Sequence, residues 1–237
     1  MTFNDFGFCD ELSKAIQEAG FREPSPIQKQ SIPRILQGKD LIGQAQTGTG
    51  KTAAFGLPII EMLYRSQESP ENQGGQQGEQ RGRYSKVAAF VIVPTRELAI
   101  QVASELSRFA QYLHLKTATV YGGQPYEKQL KAFRNAHIIV ATPGRLLDIL
   151  KNNKVQVEPQ FVVLDEADEM LNMGFLDDIR EIFSHFGLER QNLLFSATLP
   201  QAIKALIREI LSEPEFVTLS GTTASDQVQQ SFYVVDE

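Results

Sequence analysis

The sequence predicts an α/β fold: an open, mostly parallel sheet with helices on both faces. Three observations lead there. Seven short apolar clusters rich in Val and Ile recur along the chain at 40–45, 87–93, 117–120, 137–141, 161–164, 192–195 and 216–219. The runs AAFVIV, IIVA, FVVL and LLF lack the polar alternation of a strand with one wet face, so they read as strands covered on both sides. Helical patterns alternate with them, most clearly at 51–64, 96–112 and 201–211. That alternation implies crossover connections between parallel strands. In such sheets ligands bind beyond the carboxyl ends of the strands, so the loops that follow strands are where function is sought.

Length and composition bound the answer. The chain has 237 residues, 42% hydrophobic and 22% charged, as expected of an ordinary globular domain with a substantial core. Its net charge of −6 and pI of about 5.2 exclude nucleic-acid binding by bulk positive charge and leave only a local patch or backbone donors. Cys9 is the single cysteine, which excludes a disulfide within the chain, fits a reducing compartment and reads as a packing residue. The first twelve residues, MTFNDFGFCDEL, lack the apolar segment of a signal peptide, and no run of about 18 apolar residues occurs. The expected location is cytoplasmic, with no membrane association. Residues 66–83, SQESPENQGGQQGEQRGR, carry almost no apolar side chain and are expected to form a disordered insertion over 66–84, either a tolerated surface loop or one that touches RNA or a partner.

The strongest local signal follows the first strand. Ala45, Gln46, Thr47, Gly48, Thr49, Gly50, Lys51 and Thr52 form a phosphate-binding P-loop between a strand and a helix. Gly48 and Gly50 permit a tight turn whose N–H groups converge on phosphate oxygens, and the following helix adds its positive dipole end. Lys51 is expected to pair with the β and γ phosphates and Thr52 to ligate Mg²⁺. Ala45 stands where the strict pattern has glycine. The second element such a site requires is an acid at the end of a buried strand. Asp165, Glu166, Ala167 and Asp168 follow FVVL, with Asp165 expected to hold the metal and Glu166 to orient or deprotonate the attacking water.

The tetrapeptide Asp165 to Asp168 spells DEAD, and the chain resembles the DEAD-box RNA helicases in motif after motif. Gly20, Phe21, Pro24, Ile27 and Gln28 look like the adenine-recognising Q motif, and Phe3 lies seventeen positions before Gly20, like the family's upstream aromatic. Pro94, Thr95 and Arg96, then Gly122 and Gly123, then Thr142, Pro143, Gly144 and Arg145 resemble its RNA-contacting motifs. Ser196 and Thr198 resemble the motif that couples hydrolysis to RNA binding. The resemblance covers nearly the whole chain except the insertion.

It implies a RecA-like P-loop domain over residues 1–237. Residues 1–38 would form the Q-motif region, 39–220 the core, and 221–237 the start of a linker to a second helicase domain of the same polypeptide. ATP and Mg²⁺ would be the ligands, RNA the partner, and Asp168, Ser196 and Thr198 members of the catalytic set. Gln28 offers an amide donor and acceptor side by side, matched to adenine N6 and N7. Phe3 has three readings open: stacking on adenine, stacking on the Q-motif backbone, or packing in the core. Hydroxyls, glycines and arginines on loops bind phosphate and sugar in preference to base edges, so RNA recognition is expected to be largely sequence-independent. The isolated domain is expected to be monomeric, slow in hydrolysis and unable to unwind duplexes, as a piece of a longer protein. A nucleotide-gated RNA clamp serving as an assembly platform is the alternative. A DNA-directed ATPase or a metabolic kinase accounts less well for the full motif set.

Overall fold

The computed structural model describes residues 1–68, 87–153 and 157–219. A 3-10 turn, Phe3–Phe6, opens the chain and is followed by α1 (Asp10–Glu18) and α2 (Pro26–Leu36). Then come β1 (Leu41–Gln44), α3 (Lys51–Glu68), β2 (Ala89–Ile92), α4 (Arg96–Phe109), β3 (Thr117–Val120), α5 (Tyr126–Asn135), β4 (Ile138–Ala141) and α6 (Pro143–Asn153). β5 (Phe161–Asp165), α7 (Ala167–Asn172), α8 (Leu176–Ser184), β6 (Gln191–Ser196), α9 (Gln201–Ile210) and β7 (Glu215–Thr218) complete it.

All seven expected strands form, and every pairing between them is parallel, in the order β3-β4-β2-β5-β6-β1-β7. β2, β4, β5 and β6 are buried along their full length, as their unbroken apolar runs require. Alternate residues feed two cores. Leu41, Ala89, Val91, Ile138, Val140, Val163, Leu193 and Phe195 pack under α1 to α4, while Ile42, Phe90, Ile92, Ile139, Val162, Leu164 and Leu194 pack under α5 to α9. Helices thus cover both faces. Gly43 lets β1 pass beneath a fully buried ring, since a Cβ there would overlap Phe195.

Two expectations need correction. α3 runs on to Glu68, so residues 66–68 end a helix and do not begin the insertion. The helix is tied down at that end: Arg65 Nε donates to Glu61 Oε1 at 2.6 Å, and Arg65 Nη2 to the Gly7 carbonyl at 2.7 Å. The remaining insertion, 69–84, and the linker, 221–237, lie outside the described residues. The second helix expected over 96–112 ends at Phe109, where Tyr112 turns away to give its hydroxyl to Glu18 of α1 at 2.6 Å. Among the described residues no helix is long and apolar enough to cross a membrane.

Candidate functional site

The strand order divides the carboxyl edge of the sheet in two. β5, β6 and β1 are neighbours and carry the acidic tetrad, Ser196 to Thr198 and the P-loop. β3, β4 and β2 are neighbours and carry Gly122 and Gly123, Thr142 to Arg145, and Pro94 to Arg96. Residues far apart in sequence therefore meet along one rim, with the two groups joined at β2 and β5.

In the P-loop, Gly48 and Gly50 take φ of +79° and +88°, values an L side chain rarely adopts. A Cβ on Gly50 would also overlap Gln28 Nε2. Gln46, Thr47 and Gly48 face solvent, while Thr49 turns its hydroxyl inward to the Gln46 carbonyl at 2.8 Å. Lys51 opens α3, is only 6% exposed, and lies with Nζ 3.5 Å from Asp165 Oδ1. Asp165, at the end of β5, is 3% exposed. Burial lifts its carboxyl pKa to about 6, against the pull of Lys51, and Glu166 adds to the rise. Its Oδ1 also accepts the Glu166 N–H at 3.0 Å.

Glu166 sits in the left-handed region with φ 57° and ψ 50°, one of two non-glycine residues with positive φ among those described. Strain of this kind persists where the surroundings over-determine the backbone, and it concentrates at functional sites. Asp168 Oδ2 accepts both the N–H and the hydroxyl of Thr198 at 2.8 Å. Ser196 Oγ accepts the Asp168 N–H at 3.1 Å and donates to the Thr198 carbonyl at 2.7 Å. Burial of Asp168 raises its pKa, but these hydrogen bonds outweigh it and hold the carboxyl below the usual range. The loops after β5 and β6 are latched together by this cluster.

Gln28 is 2% exposed, and its amide oxygen and nitrogen each make one hydrogen bond. Oε1 accepts the Ser25 N–H at 2.8 Å, closing the cap of α2, and Nε2 donates to the Gly50 carbonyl at 3.0 Å. The Ser25 hydroxyl adds a bond to the Thr49 carbonyl at 2.8 Å. The start of α2 is therefore fastened to the P-loop at two points. Phe3 packs edge-on against Phe6 and Phe21 with ring centroids 6.0 Å apart, at 6% exposure. Phe3 thus belongs to the core cluster and also touches Phe21 of the Q-motif segment.

On the other half of the rim, Pro94 is buried, Thr95 caps α4 by accepting the Leu98 N–H at 3.2 Å, and Arg96 is exposed. Gly122, Gly123 and Gly144 are exposed, with φ +82° at Gly123. Thr142 is half-buried and Pro143 buried. Arg145 crosses from α6 to donate to the Gln124 carbonyl at 3.0 Å, and its guanidinium lies 5.7 Å from the Tyr126 ring centroid. Gln129, buried, holds Tyr121 through both its N–H (3.1 Å) and its carbonyl (2.8 Å), and so sets the start of the glycine loop.

Sequence reasoning missed two of these residues. Gln129 acts on backbone groups, which no motif advertises. Glu105 of α4 is the second. It lies half-buried beside the P-loop, where burial raises its pKa while a hydrogen bond from the Thr52 hydroxyl and the Arg108 charge lower it, and Asp165 is near enough to raise it further. Its one signal in the sequence was a charge on the flank of the apolar stripe formed by Ala99, Val102, Ala103, Leu106 and Phe109.

The donor set fits Mg²⁺. It is made of oxygens, the Thr52 hydroxyl and the Asp165 carboxylate, and among the described residues no three His, Cys, Asp or Glu side chains form a cage of their own. A small cation that keeps several waters and takes the rest of its shell from phosphates needs only such a partial site.

Residues 25–206 match the family model of the DEAD/DEAH box helicases. The DEAD-box ATP-dependent RNA helicase RhpA of Helicobacter pylori is 46% identical over the whole chain, which spans 45% of that protein. The DEAD-box ATP-dependent RNA helicase CshA of Bacillus subtilis is 47% identical over 99% of the chain, which spans 44% of it. The chain thus corresponds to somewhat less than half the length of these relatives. The crystal structure of a DEAD box protein from Methanococcus jannaschii superposes with a TM-score of 0.80 at 35% identity, covering 98% of this chain and 58% of that one. A hypothetical ATP-dependent RNA helicase from Sulfolobus tokodaii gives 0.76 at 37% identity, covering 89% and 57%. With the motif match, the identity and the fold in agreement, this chain belongs to the DEAD/DEAH box helicase family.

Proposed function

We propose that this chain is the ATP-binding domain of an ATP-dependent RNA helicase. It binds adenine nucleotide with Mg²⁺ and part of an RNA backbone, and it couples hydrolysis to local duplex opening only when joined to a second helicase domain. The observation that carries the proposal is the convergence of Lys51, Asp165 and the Asp168–Thr198 latch at one edge of the sheet, with Lys51 Nζ 3.5 Å from Asp165 Oδ1.

The P-loop N–H groups and Lys51 receive the β and γ phosphates. Phosphate arrival gives Lys51 a second anionic partner besides Asp165. Thr52 and Asp165 would hold Mg²⁺, which would supply charge neutralisation for the phosphate oxygens. Glu166, held in its left-handed conformation, presents its carboxylate to the attacking water and accepts the proton. Gln28 selects adenine by exchanging its bonds to Ser25 and Gly50 for the N6 and N7 edge. The Asp168, Ser196 and Thr198 cluster relays the state of the nucleotide to the rim, because any shift of the β6 loop must break or carry those bonds. Arg96, the glycine loop and the Thr142 to Arg145 turn offer backbone and side-chain donors to phosphate and sugar, which explains how an acidic domain engages RNA. The relatives are more than twice as long, which leaves room for the second domain. Arginine fingers supplied across such a site contribute about 10³ to 10⁵ in rate, so the chain alone should hydrolyse slowly.

The test is calorimetric titration of the chain with ADP and GDP, for wild type and Gln28→Ala, with single-stranded RNA and DNA competed in a separate assay. ADP binding without GDP binding, and loss of that preference in the variant, supports the reading. Equal binding of both nucleotides by wild type overturns the adenine assignment, and fast RNA-stimulated turnover by this chain alone overturns the requirement for a second domain.

A further inference from the structure

We infer that the groove along the β3 edge of the sheet is a second RNA subsite, which takes the nucleotides that run on past the glycine loop. The inference rests on the reading of Arg96, Gly122 and Gly123 as RNA contacts, and it extends their track onto a surface outside every motif in the sequence.

β3 is the last strand on its side of the sheet and pairs only with β4 among the described residues. A groove of about 660 Å³ runs along it between α4 and α5. One end of the groove is the glycine loop, since Tyr121 and Gln124 line it and bracket Gly122 and Gly123. From there it follows Thr119 and Ala118 back to Thr117. The stretch from Tyr121 to Thr117 spans about 13 Å at the rise of a strand. Successive phosphates of a stacked strand rise about 3.4 Å, so about two or three nucleotides fit.

α4 ties the groove to the RNA-facing rim. Ile100, Ser104 and Ser107 line it, and they follow Arg96 at intervals of four, four and three residues, which places all four on one face of the helix. A strand that meets Arg96 at the start of α4 is thereby led along the same face into the groove.

The lining suits a polyanion. The chain carries 29 acidic residues against 23 Lys and Arg, yet no carboxylate lines this groove. Lys128 of α5 is exposed there and makes no ion pair among the described residues, so its charge is free for a phosphate. The hydroxyls of Ser104 and Thr119 make no hydrogen bond among the described residues and offer donors to sugar and phosphate oxygens. Ile100, 47% exposed, and the half-buried Tyr121 ring give a base an apolar surface. An open strand edge can also take a peptide as an added strand. The free lysine, the lack of carboxylates and the continuity with the glycine loop favour RNA.

The test is fluorescence anisotropy of the 237-residue chain with single-stranded RNAs lengthened one nucleotide at a time, for wild type, Lys128→Gln and Ser104→Glu. Both positions are exposed, and Tm and ADP affinity serve as controls of folding. Wild type should gain affinity once the RNA is long enough to pass the glycine loop. In Lys128→Gln that gain should shrink about fivefold at about 0.1 M salt, and the slope of log affinity against log salt should flatten by about 0.7, the value of one phosphate contact on a single strand. Ser104→Glu, which puts a carboxylate in the groove, should weaken the longer RNAs and bind the shortest as wild type does. Wild-type affinity and salt slope at every length in both variants overturn the inference while the rim contacts stand, and leave the open β3 edge to a peptide strand. An equal loss at every length overturns it as well, because both side chains would then act on RNA that the rim already holds. If wild type binds no single-stranded RNA of any length, the RNA reading of the rim falls, and the inference with it.

Discussion

Replacing Gln28 by alanine should destabilise the nucleotide-free domain, whatever it does to nucleotide choice. The side chain is 2% exposed and makes two bonds, one to the Ser25 N–H and one to the Gly50 carbonyl. Truncation leaves the Ser25 N–H without that partner, while the Gly50 carbonyl keeps the Ala54 N–H at 3.1 Å, and an unpaired buried group costs about 1–3 kcal/mol. The Ser25 bond is only partly buried, so the low end applies to it, and with the lost bond to Gly50 about 1–2 kcal/mol is expected in all. For a domain of this size that corresponds to a fall in Tm of roughly 2–8 °C. Differential scanning calorimetry in EDTA without nucleotide, repeated by urea unfolding, measures it. A Tm within about 1 °C of wild type would contradict this account, since water would then be replacing both bonds without loss. The experiment also separates two roles that sequence alone merges. A residue that only read adenine would leave the empty domain untouched, whereas one that also fastens α2 to the P-loop cannot be removed silently.

Three further outcomes are expected. Gly43→Ala should destabilise the domain by at least about 1–3 kcal/mol, because its Cβ would overlap the Phe195 ring, and Phe195→Leu in the same chain should recover part of the loss; additive effects in denaturant unfolding would contradict the close contact. Asp165, with its pKa raised from 3.8 to about 6, binds its proton more tightly when folded, so its contribution makes the empty domain more stable as pH falls from 7 towards 4. That increment, up to about 3 kcal/mol, should vanish from the pH profile of Asp165→Asn, and identical profiles would show that the carboxyl is not desolvated. Glu166→Gly should abolish hydrolysis in the protein joined to its second domain while leaving thermal stability equal or raised, because glycine accepts φ 57° without strain; a clear loss of stability would show that the Glu166 side chain also supports the fold.

Much of this molecule is legible in its residues alone. Unbroken apolar runs can be satisfied only by strands covered on both faces, and their alternation with helical patterns requires a parallel sheet; all seven strands form. The P-loop and the acids after FVVL are legible because each is a contiguous segment whose backbone conformation follows from its own residues, glycine for positive φ and a strand that ends at the site. The end of α3 is not, because residues 66–68 have no apolar pattern; the helix is prolonged by Arg65 reaching Glu61 and Gly7, and Gly7 is 58 residues away.

Contiguous stretches of residues thus dictate the class of fold, the phosphate loop, the acidic partner and the family. Which side chain stands beside which is decided only by the packed chain. The order β3-β4-β2-β5-β6-β1-β7 gathers the acidic tetrad, the β6 loop and the P-loop on adjacent strands, and strand pairing of this kind is set by packing over long separations. Phe3 went to the core and Gln28 to the Gly50 carbonyl because the closing of α1 and α2 over the sheet left those positions dry. Gly56 meets Leu106 of α4 because the two helices close against each other there. Local patterns encode backbone shape, but the partner of a side chain is chosen by surfaces that meet only when the chain has folded.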